Sequence, residues 1–175
     1  MNTFIRIVDA IVALVGKFAA YLVLAILATI VAEIVYRAVV GRSLGFAEDL
    51  ASWLLVAVVF LGGPYAVQQA KFVRVDAAFE HYSPLWKALV DTVVSTLLLA
   101  VFLYAMIKLG FDFAHKSYVQ GEVSATGAWN GPVWVPKSLV PIGCTLLALA
   151  WVSHILKSWR DRNAPPADPH VEVGP

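Results

Sequence analysis

Four long apolar stretches constrain this chain more than any other feature of its sequence. They cover about residues 18–40, 50–70, 89–111 and 138–159, and each holds the roughly 20 mostly apolar residues that a helix needs to cross a bilayer. Only 14% of the 175 residues are charged, against about 25% in an ordinary soluble domain. The sequence therefore predicts an all-α integral membrane protein with four transmembrane helices.

The segments that flank these stretches are short. Residues 1–17 place apolar side chains at helical spacing and predict an interfacial lead-in to the first span. Together with the spans they form one predicted membrane domain, residues 1–162, while the proline-rich residues 163–175 are predicted to be a disordered cytoplasmic tail. A signal peptide is the competing interpretation of the first stretch, but that stretch exceeds the roughly 7–15 apolar residues of a signal core.

The distribution of lysine and arginine predicts the orientation of the spans. Cytoplasmic segments of membrane proteins carry an excess of these residues. With a cytoplasmic N-terminus, eight of the 13 lysines and arginines would be inside and five outside. This moderate bias predicts that both termini face the cytoplasm.

The main ionisable group inside a span is Glu33, and such groups are candidates for function because hydrocarbon is a costly environment for them. Arg37 lies four residues later, on the same face of the helix, in the order that favours an ion pair. A proton or ion site is the functional interpretation. A structural intramembrane ion pair is favoured, since a fixed arginine would hold the carboxylate ionised.

Two adjacent acids, Glu48 and Asp49, precede the second span, where a helix N-terminus favours negative charge. Arg42 comes shortly before them and is close enough in sequence to pair with either. Capping of the helix and docking of a partner are equally good interpretations of the acids. Farther along, Gly62, Gly63 and Pro64 interrupt the span and predict close helix contact, either within the chain or with another subunit.

Residues typical of catalysis or of metal binding are not arranged for either. The one cysteine, Cys144, lies in an apolar run, and the four histidines give no facing pair for a haem. No nucleophile triad, phosphate-binding glycine loop or metal-ligand cluster occurs in the sequence. We expect no enzymatic activity and no cofactor, and the net charge of +1 suggests no nucleic-acid partner.

The stretch 37–51, continued by Trp53 and by the Phe-Leu-Gly-Gly step at 60–63, resembles the DctQ-type small permease subunit of tripartite ATP-independent periplasmic (TRAP) transporters. In that family an arginine ends the first helix, and a short turn, paired acids and a helix with an aromatic residue follow. The segment 72–76, which contains Arg74 and Asp76, is similar to the family's "HI-x-VD" segment, with Phe72 in place of the histidine. Residues 124–143 match the family's outer loop and proline-glycine step, so the resemblance spans roughly residues 15–160.

The resemblance implies a multi-pass protein of the bacterial inner membrane that pairs with a large multi-span permease subunit. A periplasmic binding protein would deliver the substrate, often an organic acid such as a carboxylate. Uptake would be driven by an ion gradient, commonly of sodium. Substrate and ion would bind in the large subunit, and the small subunit would brace the scaffold among membrane lipids.

On this basis we expect a set of subunit-interface or structural residues and no substrate-binding residues in this chain. A self-sufficient homodimeric four-helix exporter coupled to protons is the alternative, with Glu33 as its exchanging carboxylate. An assembly or sensory membrane protein is a third possibility. The expected interface or structural residues are Arg37, Arg42, Glu48, Asp49, Trp53, Gly62, Gly63, Arg74 and Asp76.

Overall fold

The computed structural model describes residues 2–69, 93, 95–126 and 129–162, and this part of the chain contains four helices. All four are long and apolar enough to cross a membrane. No strand occurs in the described residues beyond an isolated bridge between Val123 and Pro132. The predicted all-α transmembrane fold is confirmed. The helices are α1 (Asn2–Val40), α2 (Ala47–Gln68), α3 (Ser95–Val119) and α4 (Trp134–Arg162).

The first helix is continuous over 39 residues. At 1.5 Å per residue it is about 58 Å long, nearly twice the hydrocarbon thickness of about 30 Å. It therefore includes residues 2–17 of the predicted lead-in, 1–17, together with the first predicted span. The interfacial placement of the lead-in stays a prediction.

The other boundaries shift by a few residues. Helix α3 continues past the predicted end at 111 to Val119, and α4 begins at Trp134, four residues before the predicted span. The predicted start of the third span, the segment with Arg74 and Asp76, and the tail 163–175 lie outside the described residues.

The four described helices pack as an open row in the order α1, α2, α4, α3. Neighbours in this row run along each other, and α1 also touches α4 over a smaller area. Helix α3 contacts only α4 among the described helices. In α3, only 6% of the most apolar window is buried. A row of this kind leaves most of its apolar surface for lipid or for another chain.

Glycines allow the closest approaches within the row. A Cβ added at Gly16 would collide with the Tyr65 side chain, and one at Gly143 would lie 2.6 Å from Phe60 Cβ and closer still to the Phe60 carbonyl oxygen. Pro64, buried in α2, has no N–H to give that carbonyl. A Cα hydrogen of Gly143 is therefore directed at an oxygen that the helix leaves without its usual donor.

The row has two distinct ends. The loop end carries the α1–α2 turn, 41–46, and the α3–α4 loop, 120–133. The terminus end carries the start of α1 and the ends of α2 and α4. Thr126 bonds Asp49 across the loop end, and Lys157 bonds Asp9 across the terminus end. The start of α1 and the end of α4 therefore lie on the same side of the row, while the membrane side that they face stays a prediction.

Candidate functional site

The turn between α1 and α2 is held by the carboxylate of Glu33. One oxygen accepts from Arg37 Nη2 at 2.6 Å and from Ser43 Oγ at 2.7 Å, and the other accepts from the backbone N–H of Leu44 at 2.8 Å. Arg37 Nε adds a longer bond of 3.1 Å. Gly41, at a positive φ of 75°, ends the helix. Glu33 thus accepts four hydrogen bonds and fixes the direction in which the chain leaves α1.

The carboxylate of Asp49 holds the α3–α4 loop against the start of α2. One oxygen accepts from Thr126 Oγ1 and the other from Trp129 Nε1 at 2.8 Å. Asp49 is 6% exposed, although it lies in the first turn of a helix near an end of the row. Neither acid of the first turn is bonded as a side-chain cap, because Asp49 is engaged by the loop and the N-cap residue is Phe46.

Aromatic rings reinforce this contact. The Trp129 ring lies with its centroid 5.3 Å from that of Trp53 and 6.2 Å from that of Phe46, both at tilted angles. Such tilted pairs add to the free energy of simple area burial. Asp49 and Trp53, separated by one helical turn, thus bind the same loop residue, one through a hydrogen bond and the other through its ring. We call Asp49, Trp53, Thr126 and Trp129 the loop anchor.

Backbone hydrogen bonds join the two arms of the α3–α4 loop, and an ion pair ties the loop to the start of α4. Ser124 N–H donates to the Gly131 carbonyl at 2.8 Å, and Val133 N–H donates to the Glu122 carbonyl at 3.2 Å. Lys137 donates to the Glu122 carboxylate and lies 3.9 Å from the centroid of the Phe113 ring. The hydrogen bond from Lys137 lowers the pKa of Glu122 below its ordinary value of 4.5.

An open groove of about 720 Å³ lies between α1 and α2 beside the Glu33 turn. Ile30 and Ile34 give it an apolar wall, and Arg37 and Glu48 give it charge. Arg37 and Glu48 are exposed at the loop end, whereas Glu33, which also lines the groove, is half-buried. The groove does not enclose a ligand, since it is open along one side of the row.

A second polar cluster joins three helices at the terminus end. Asp9 on α1 accepts from Ser153 Oγ at 3.0 Å and from Lys157 Nζ at 2.6 Å, both on α4. Gln68 at the end of α2 donates to the Asp9 carbonyl at 3.0 Å. The apolar residues Val8 and Val12 pack beside this cluster against Ala150 and Tyr65. Asp9 therefore ties the start of the chain to its last helix.

The predicted site residues divide among these features. Glu33 and Arg37 meet in the turn, and Asp49 and Trp53 meet in the loop anchor. Glu48 is exposed and lines the groove, and Arg42 is exposed and pairs with neither acid among the described residues. Arg42 is close to the two acids in sequence but does not pair with them, because the α3–α4 loop supplies the partners of Asp49.

The two glycines of α2 face different surroundings. A Cβ added at Gly62 would lie 3.7 Å from Ala19 Cβ on α1, whereas one at Gly63 would meet nothing within 4 Å. Gly62 therefore serves packing within the chain, and Gly63 borders open space. Whether Gly63 contacts another subunit stays a prediction.

Sequence reasoning missed three groups that the fold brings together: Asp9 with Ser153 and Lys157, Thr126 with Trp129, and Glu122 with Lys137. The pairing of Asp9 with Lys157 could have been suspected from the sequence, because the acid precedes the first apolar stretch and the lysine lies near the end of the last one. Thr126 and Trp129 carried no signal beyond the tryptophan-rich and glycine-rich composition of their loop.

Each of the four described helices is long enough to cross a membrane, and acidic side chains hold the turns and helix ends together. These features define a small multi-pass membrane protein. The family model for tripartite ATP-independent periplasmic transporters, DctQ component, matches residues 26–161. The chain belongs to this family, so it is the small permease component of a TRAP transporter, and the resemblance of its motifs is confirmed. Searches of curated proteins and of solved structures gave no match.

Proposed function

We propose that this chain is the scaffold subunit of an uptake system, in which it pairs with a large permease subunit and a periplasmic binding protein. The complex takes up organic acids such as carboxylates and is driven by an ion gradient, commonly of sodium. It lies in the bacterial inner membrane with both termini of this chain in the cytoplasm. Membership of the DctQ family implies the two partners.

The scaffold role is supported mainly by the hydrogen bonds that three carboxylates accept from other parts of the chain. Asp9, Glu33 and Asp49 each accept at least two hydrogen bonds from neighbouring side chains or backbone. Bonds of this kind tie each carboxylate to another part of the chain, which favours a structural role over the binding of a transported cation. Substrate and ion are therefore bound by the large subunit, and this chain supplies rigid surface.

The loop end supplies the face toward the binding protein. Asp49 orders this face from within, and Glu48 and Arg42 remain exposed on it. The exposed Trp129 is held at the same end of the row, with its ring against those of Trp53 and Phe46. Such a preordered patch of aromatic and charged groups suits transient docking of a soluble partner.

The test begins with expression of the tagged chain together with its neighbouring genes, followed by purification in mild detergent. We expect a large multi-span protein in about equal amount. The purified pair in liposomes, given the binding protein and labelled carboxylates, should accumulate substrate under an inward sodium gradient. Collapse of that gradient with an ionophore should abolish uptake, and ATP should have no effect.

The exporter alternative makes a different prediction for Glu33. A proton-exchanging carboxylate cannot be replaced by glutamine without loss of transport. In a scaffold, Glu33→Gln keeps an acceptor oxygen for the turn and should leave uptake close to that of the wild type. Purification of the chain alone as a stable dimer, with transport lost in Glu33→Gln, would refute the scaffold role.

A further inference from the structure

The groove between α1 and α2 has the size of a ligand site and an apolar interior. Its volume of about 720 Å³ falls in the range of about 300–1,000 Å³ that small-molecule sites occupy. Ala38, Ala47 and Ala51 line it, and their short side chains leave space between the helices. Ile30 and Ile34 form the wall on α1. Because the groove is open along one side, a molecule dissolved in the membrane can enter it laterally.

The length of α2 determines the depth of this groove. Helix α2 has 22 residues, which is about 33 Å at 1.5 Å per residue and close to the hydrocarbon thickness of about 30 Å. Glu48 and Asp49 lie in its first turn, and residues 50–69 carry no charge. A span that only just crosses the hydrocarbon begins at one interface. Glu48, in the mouth of the groove, therefore lies at the depth of the lipid headgroups, and Ser52 lies one turn deeper.

The polar groups that line the deeper part of the groove already have partners. Ser52 Oγ donates to the Glu48 carbonyl at 2.9 Å, and the Glu33 carboxylate accepts four hydrogen bonds from the turn and from Arg37. Polar groups without partners would favour water or a polar ligand at this depth. Satisfied groups beside isoleucine and alanine side chains instead suit an apolar chain.

The mouth of the groove carries a cation and an anion with unused hydrogen-bonding capacity. The Arg37 side chain is 65% exposed and binds Glu33 through Nε and Nη2, which leaves Nη1 for a ligand. Glu48 is exposed, and its carboxylate forms no salt bridge with a described residue. A guanidinium group is a strong donor to phosphate, and a carboxylate is a strong acceptor from ammonium. The mouth therefore matches a ligand that has both a phosphate and an ammonium group.

The net charge of the mouth selects among phospholipids. Arg37 brings one positive charge, and Glu33 and Glu48 bring two negative ones, so the mouth is negative as a whole. A lipid whose only charge is its phosphate would be repelled by Glu48, whereas a zwitterionic lipid brings a cation for that carboxylate. A primary ammonium group has three N–H donors, while the quaternary ammonium group of choline has none.

We propose that this groove binds a phospholipid with a primary ammonium group in its headgroup, such as phosphatidylethanolamine. Its phosphate accepts hydrogen bonds from Arg37, and its ammonium group donates to Glu48. One acyl chain lies along Ile30 and Ile34 and fills the space that the alanines leave between α1 and α2. The inference requires a membrane but no partner subunit and no substrate, so it goes beyond the proposed function and can fail without it.

Native mass spectrometry of the full chain, exchanged in detergent into one lipid at a time, measures this preference. The probes are phosphatidylethanolamine, phosphatidylcholine and phosphatidylglycerol with the same acyl chains. We expect the ethanolamine lipid to be retained at least about threefold more than either of the others, because it alone brings an N–H donor with a positive charge to Glu48. Glu48→Gln should lose most of this preference. Asp112→Asn is the matched control, since it removes an exposed acid of α3 outside the groove.

A second pair of variants tests whether the lipid lies in the groove. Ala38→Leu places a larger side chain in the space, so retention of phosphatidylethanolamine should fall at least about threefold as the acyl chain is crowded out. Ala28→Leu makes the same change at an exposed alanine of α1 that does not line the groove, and should retain the lipid as the wild type does. The Tm of each variant, measured without added lipid, should equal that of the wild type.

A photoreactive amino acid at Ile34 identifies the occupant in membranes that contain the co-expressed complex. We expect an adduct with an ethanolamine lipid, and a crosslink to the large subunit instead would overturn the proposal. Equal retention of the three lipids by the wild type, an unchanged preference in Glu48→Gln, or equal retention by Ala38→Leu and Ala28→Leu would also overturn it. None of these measurements involves uptake, so the proposed function is tested separately.

Discussion

At the scale of single residues, two adjacent acids in the same helical turn have different surroundings. Asp49 is buried against the loop, and Glu48 is exposed beside the groove. A buried acceptor that loses its charge leaves its donors with weaker bonds, whereas an exposed acid exchanges its contacts with water. Asp49 should therefore contribute more to the stability of the fold than Glu48.

Asp49→Ala should lower Tm by several degrees and release the α3–α4 loop, because Thr126 and Trp129 lose their acceptor. Glu48→Ala is the matched control and should leave Tm close to that of the wild type. Chymotryptic cleavage after Trp129 in detergent measures loop release independently of Tm. Equal cleavage of the two variants would show that Asp49 does not anchor the loop.

The residue scale is also where prediction from sequence reached its limit. The side chains of Thr126 and Trp129 lie 77 and 80 positions from Asp49, and Ser153 lies 144 positions from Asp9. Pairs this distant depend on how helices are arranged, which local spacing does not specify. Glu33 and Arg37, four positions apart on one helix, were within reach of local reasoning because helical geometry alone brings them together.

At the scale of elements, the four helices followed from the apolar stretches, since a segment of that length and composition has few alternatives in a bilayer. The order of the helices in the row could not be predicted from these stretches. It depends on where small residues allow contact, and the sequence contains 11 glycines. Gly16 and Gly143 face a neighbouring helix closely, while Gly63 faces open space, and nothing in the local sequence separates these cases.

Gly143→Ala should weaken the packing of α4 on α2. The added methyl group would overlap Phe60 and its carbonyl, and relief of such overpacking costs about 1–3 kcal/mol. Cys144, the next residue, is buried and is the only cysteine, so its rate of alkylation reports opening of this contact. We expect faster alkylation and a lower Tm.

Gly63→Ala is the matched control for this substitution, as both changes add one methyl group to a helical glycine. In the isolated chain it should leave the alkylation rate of Cys144 unchanged. If Gly143→Ala gives the same rate as Gly63→Ala, the close contact with Phe60 contributes little to stability.

The α3–α4 loop should respond to acid through Glu122. The folded-state pKa of this group is lowered by Lys137, so its contribution to stability is present above pH 4.5 and is lost as the pH falls through the lower folded value. The difference in Tm between the wild type and Glu122→Gln should therefore be largest near neutral pH and shrink below pH 4.5. A constant difference across this range would contradict the role of the ion pair.

At the scale of the whole molecule, an open row is a poor arrangement for a chain on its own. Its apolar faces are exposed to lipid, whereas a closed bundle would bury them between its own helices. Among the described helices, α3 contacts α4 alone. A partner that binds only the folded row stabilises it by mass action. The stability of this subunit should therefore depend on the complex.

Cys144 offers a measure of this dependence. In the co-expressed complex, alkylation of Cys144 in the tagged chain should be slower than in the chain purified alone, by about tenfold or more if the complex adds at least about 1.4 kcal/mol. Mass spectrometry of the tagged chain separates its cysteine from those of other subunits. Equal rates would mean that the row is self-sufficient.

The contact of α3 with α4, its one neighbour among the described helices, also has a consequence for biosynthesis. Helices α1 and α2 meet as soon as both have left the ribosome, because they are consecutive and packed together. Helix α3 emerges before the only described helix that it touches, and a nascent chain that ends at residue 131 holds α3 without that neighbour. Until α4 is translated, the insertion machinery, the lipid or a waiting subunit must shelter a helix that carries Lys108 and Asp112. The order of synthesis thus separates the insertion of α3 in time from its packing against α4.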